Sequence, residues 1–95
     1  MTYTIKIEKD SNGFKHFGNY NSLNEALIDF KNGAHNIEKD NDTYNLYLFN
    51  ERNNMYPIVT YDSKFAMWSE IMIEDANDIN IEKLTKQIIN EMDKW

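Results

Sequence analysis

Five carboxylates crowd the stretch SEIMIEDANDINIEK (residues 69–83): Glu70, Glu74, Asp75, Asp78 and Glu82, closed by Lys83. Acids at that density could chelate a cation, complement the positive end of a helix or attract a basic surface. Chelation needs ligands at fixed steps, and Ile79 and Ile81 interrupt the ligand positions after Asp75 and Asn77. A second acidic run, EKDND (38–42), leads into DNDTYNLYLFNE (40–51), which matches a calcium loop at its first, third and twelfth positions through Asp40, Asp42 and Glu51. Tyr44 then occupies the fifth ligand position and Asn45 that of the turn glycine, while the later half reads as a strand. No metal and no cofactor are expected.

Other chemistries find fewer residues. With no cysteine in the chain, thiolate nucleophiles, disulfides and zinc–cysteine sites are excluded. Only His16 and His35 offer imidazole bases, and the frames around Ser11, Ser22, Ser63 and Ser69 carry no nucleophile signature. Gly13, Gly18 and Gly33 form no phosphate-binding loop. The chain is read as non-enzymatic. Tyr44, Tyr47, Phe49, Tyr56 and Tyr61 fall on adjacent predicted strands, as rings that stack on single-stranded bases do, but only Arg52 accompanies them. Packing accounts better for most of these rings.

The elements that must position the acids follow from periodicity. In TYTIKIEK, Tyr3, Ile5 and Ile7 alternate with polar residues, which predicts a half-buried strand. The turn formers DSNG and the run FKHFGNY complete a hairpin, with Gly18 marking a weak point or a bulge. SLNE (22–25) has the form of a capping box, and Leu23, Ala26, Leu27 and Phe30 continue at helical spacing to Gly33, placed as a C-terminal cap after about ten residues. TYNLYLFN and MYPIVTYD predict a second hairpin around ERNN, with Pro57 putting its strand at an edge or its amide on an unpaired side. KFAMWSEIMI fits a strand register through Phe65, Met67, Ser69, Ile71 and Ile73 or a helical one through Phe65, Trp68 and Met72; the terminal isoleucines favour strand. Ile81, Leu84, Ile88, Met92 and Trp95 mark a last helix, with Asp75 and Asp78 near its positive end.

The expected fold is α+β: an antiparallel sheet of about five strands with two helices on one face, in the order ββαβββα, as a single domain over residues 1–95. A hydrophobic fraction of 41% suits a globular chain, and no apolar run approaches a membrane span or the centre of a signal peptide. These features predict a cytoplasmic protein. The net charge of −6 disfavours direct nucleic-acid binding and favours a basic protein partner.

Small size, acidity, absence of cysteine and lack of a catalytic motif together resemble the inhibitors that phages and mobile elements direct against host nucleases, of the anti-CRISPR and anti-restriction type. The resemblance is one of general character over the whole chain and carries no individual residue with it. It implies a nucleic-acid mimic that blocks a basic site on a CRISPR effector or other nuclease in the host cytoplasm. On that reading Glu70, Glu74, Asp75, Asp78 and Glu82 make the first contacts, with Asp40, Asp42 and Tyr44 as second choices. The rival expectation is an accessory or structural domain that forms a homodimer through an edge strand.

Overall fold

A computed structural model of the chain describes residues 1–9, 14–38, 44–53, 55–62 and 69–95. The elements run β1 (Tyr3–Lys9), β2 (Phe14–Tyr20), α1 (Leu23–Glu38), β3 (Tyr44–Asn50), β4 (Val59–Asp62), β5 (Ile71–Ile73), a 3-10 turn (Ala76–Asp78) and α2 (Ile81–Met92). This is the expected ββαβββα order in an α+β fold. The strands form one five-stranded sheet in the order β2-β1-β3-β4-β5.

The sheet is mixed where full antiparallel pairing was expected. The β1–β2, β1–β3 and β3–β4 pairs are antiparallel, but β5 runs parallel to β4, with Val59 opposite Ile71 and Tyr61 opposite Ile73. Residues 63–70 separate the two strands. Eight residues can span about 28 Å, and the four of β4 cover only about 13 Å. The connection is therefore long enough to return the chain to the end of the sheet where β4 begins.

Two further expectations are corrected. Gly33 does not cap α1: the helix runs sixteen residues to Glu38, with Gly33 inside it and His35 in its last turn. Ala34 and Ile37 extend the stripe of Ala26, Leu27 and Phe30 into the core. A mid-helix glycine costs about 1 kcal/mol, whereas burying an isoleucine side chain yields about 1.5–3 kcal/mol, so packing overrides the glycine. Of the two placements expected for Pro57, the edge strand does not occur, because β4 lies between β3 and β5, and the alternative of an amide outside the ladder is not contradicted. The proline precedes the strand, and the ladder contact passes to the next residue, where the Ile58 amide donates to the Leu48 carbonyl at 2.7 Å.

Both helices cover the same face. Tyr3, Ile5, Leu46, Leu48, Val59, Tyr61, Ile71 and Ile73 from the sheet meet Phe30 of α1 and Leu84 and Ile88 of α2 in one core. Ser22 supports the start of α1, its hydroxyl accepting from the Glu25 amide at 3.4 Å. On the opposite face Tyr47 and Phe49 are also buried, with the Lys6 ammonium 4.9 Å from the Phe49 ring centre. There the Glu8 carboxylate accepts from the Tyr47 hydroxyl at 2.7 Å and from the Asn45 side-chain amide at 3.0 Å. Among the described residues no helix is long and apolar enough to cross a membrane.

Candidate functional site

The acidic stretch forms one border of the molecule, along β5, the 3-10 turn and the start of α2. Ile71 and Ile73 point into the core and leave Glu70, Met72 and Glu74 exposed. Asp75 caps the 3-10 turn, its Oδ1 accepting from the Asn77 amide at 2.9 Å. The cap of α2 is Asn80, which accepts from the Lys83 amide at 3.0 Å, with Glu82 as the acid of the first turn. The start of α2 is thus capped by Asn80 with Glu82 in its first turn, while Asp75 caps the 3-10 turn before it and Asp78 lines the groove beside Asn80 and Lys83. The short 3-10 turn intervenes because Ala76 and Ile79 are both drawn into the core.

Glu74 and Asp78 come together on the rim of a groove of about 370 Å³. Ile71, Ile73 and Leu84 contribute apolar walls, and Lys83 supplies a cation on the same groove. Glu70 belongs elsewhere. It lines a second cleft of about 210 Å³ with Glu91, Tyr56, Pro57, Ile58 and Trp95, between the β3–β4 connection and the end of α2. Glu82 faces Lys86 one helical turn on, at 3.9 Å. Glu70, Glu74, Asp75 and Asp78 are exposed and form no ion pair among the described residues. The five acids therefore do not converge on a point, and no group of three acids or histidines able to hold a metal occurs among the described residues.

Asp40 and Asp42 lie outside the described residues, and Tyr44 is placed only by its backbone, at the start of β3. The other rings considered for base stacking divide between environments. Tyr47 and Tyr61 point to opposite faces of the sheet and are both closed to solvent, because Leu46, not Tyr47, is the cross-strand partner of Tyr61. Tyr56 alone of these is open, at 60% exposure. Comparison with protein-family models, with curated proteins and with solved structures finds no match to this chain.

Sequence reasoning missed the second cleft. It placed Trp95 on the buried stripe of the last helix, but the helix ends at Met92 and the chain tightens beyond it, with the Lys94 and Trp95 amides bonding to the Glu91 and Met92 carbonyls at 3.1 Å. Bonds of this i to i−3 type turn the chain faster than an α-helix does. Trp95 consequently leaves the stripe and stands 51% exposed beside the cleft. The one signal in the sequence was the proximity of an acid and an aromatic ring, Glu91 and Trp95, four residues apart at the end of the chain's last helical pattern.

Proposed function

We propose that this protein is a non-enzymatic protein-binding domain that uses its acidic border to block a basic, nucleic-acid-binding surface, as an inhibitor of the phage or mobile-element type acting in a host cytoplasm without a cofactor. The observation that carries this reading is the exposed acidity beside β5 and the 3-10 turn: Glu74, Asp75 and Asp78, with Glu70 just before β5, are exposed without an ion-pair partner among the described residues, on a chain of net charge −6. Carboxylates held by a strand edge and two capped turns share a fixed backbone spacing, so meeting an Arg- and Lys-lined groove costs the ordering of their side chains but not of the backbone beneath them. Such a surface steers association electrostatically and weakens as salt rises. A CRISPR effector or another nuclease has the required basic groove.

The test is capture of a basic nucleic-acid-binding protein on the immobilised domain at low and raised ionic strength, using the native chain and the double variant Glu74→Lys, Asp78→Lys. The reading expects capture by the native chain, release by salt and loss of capture by the variant. Capture that ignores both salt and charge reversal would refute it.

A second reading rests on β5. This three-residue strand closes the sheet and has no ladder partner on its outer side within the described residues, so it could pair with β5 of another copy. Light scattering over a concentration series distinguishes that homodimer from a monomeric inhibitor.

A further inference from the structure

The second cleft has a different chemistry from the acidic border. Tyr56 and Trp95 remain 60% and 51% exposed at its sides, although rings of this size normally bury most of their area. Pro57 and Ile58 are buried and form an apolar wall, while Glu70 and Glu91 bring two carboxylates to the same space. Glu91 is largely enclosed, its side chain only 23% exposed. At about 210 Å³ the cavity is smaller than the roughly 300–1,000 Å³ typical of small-molecule sites. It suits one long side chain better than a free metabolite.

Two acids repel anionic groups, and a wholly apolar occupant would strip water from both carboxylates without replacing it. A cation satisfies each wall at once: the rings attract it through their faces, the carboxylates accept its hydrogen bonds, and the apolar wall covers its methylene stem. Guanidinium fits better than ammonium because it is planar, stacks on rings and donates to two carboxylates in different directions. Lys94 holds Glu91 from outside at 3.1 Å, a solvent-exposed contact of the kind that exchanges readily. The geometry points to an arginine socket: the cleft between Tyr56, Trp95, Glu70 and Glu91 receives an arginine side chain of the basic partner. This assignment rests on the reading of the protein as a binder of basic surfaces, and it names the contact that would give that binding specificity beyond charge.

The test is a nuclear magnetic resonance titration of the full chain with the blocked peptide acetyl-Gly-Arg-Gly-amide, beside its citrulline counterpart, which keeps the shape and lacks the charge. Saturable shifts at Tyr56, Ile58, Glu70 and the Trp95 indole are expected, with affinity for arginine at least about fivefold above that for citrulline, as a cation–π contact and a carboxylate contact together provide. Trp95→Ala and Glu70→Gln alter exposed positions and should each weaken binding several-fold while leaving the core resonances in place. Equal shifts with citrulline, shifts scattered over all exposed acids, or no saturable shift overturn the socket. Its failure is separable from that of the broader reading. A silent peptide with salt-sensitive capture still intact would remove the socket alone, whereas peptide binding at the cleft with no basic partner captured would leave the socket and remove the inhibitor.

Discussion

Tyr20 reaches from the edge strand β2 to α1, its hydroxyl donating to Asp29 Oδ2 at 2.8 Å. The ring passes over Gly18, where an added Cβ would lie 2.6 Å from the Tyr20 oxygen and 2.9 Å from the carbon that bears it. Gly18 pairs with Ile5 at the point where the β1–β2 register slips, since the next residue of β1, Lys6, pairs with His16 and leaves Phe17 as the extra residue. The glycine thus marks the bulge and clears the path by which β2 is tied to the helix layer.

Gly18→Ala should push the Tyr20 ring aside and break its bond to Asp29, lowering stability by about 1–2 kcal/mol. The same loss is expected from Tyr20→Phe. Urea unfolding of the two single variants and the double variant checks the mechanism: if the cost arises through Tyr20, the two effects will fall well short of additive.

Burial, followed by the hydrogen bond and the charge of Asp29, pushes the Tyr20 phenol up to about 12 from its usual 10. Burial also raises the Tyr3 phenol, against the opposing influence of Arg52 and Asn50. Between pH 10 and pH 12 the unfolded chain releases the Tyr20 proton while the folded chain keeps it. The native state then binds more protons, so this contribution to stability is complete below pH 10 and falls as pH rises toward 12. Tyrosinate absorbance should show a late-titrating phenol, and Tyr20→Phe should flatten the alkaline decline in melting temperature.

On the other face, Glu8 accepts from both Tyr47 and Asn45. Tyr47→Phe removes one donor to a charged acceptor and should cost about 1–2 kcal/mol. Glu8→Ala leaves two donors without that acceptor and should cost more. Chemical denaturation ranks the two variants, and the reverse order would show that Glu8 is not the hub.

Asn80→Ala should lower stability by about 1 kcal/mol through loss of the α2 cap. Hydrogen exchange at the Lys83 amide, which bonds to Asn80, should accelerate more than exchange at the middle of the helix. Asn80→Asp keeps an acceptor and adds charge at the positive end, so it should be neutral or slightly stabilising.

Ala34→Asp separates a long α1 from one that stops at Gly33. Ala34 is fully buried, and a carboxylate there without a partner should cost several kcal/mol or unfold the chain. Circular dichroism and a thermal melt suffice. A stable, fully helical variant would contradict a helix that continues through the glycine into the core.

The order of elements was legible in the sequence because each rests on local chemistry. The alternation of Tyr3, Ile5 and Ile7, the Ser22 cap and the spacing of Leu84 and Ile88 need no distant partner to be read. The acidity of the border was equally legible, since charge is a sum over residues. Only the tertiary structure decided the parallel direction of β5, the passage of α1 through Gly33 and the interior place of β4, because each depends on which surfaces are buried against one another. It also decided how the acids divide, with Glu74 and Asp78 on one groove and Glu70 with Glu91 in the other cleft. Glu70 and Glu91 stand twenty-one positions apart in the chain, so no local pattern links them. They line one cleft because the last turn of α2 lies beside the residues that lead into β5.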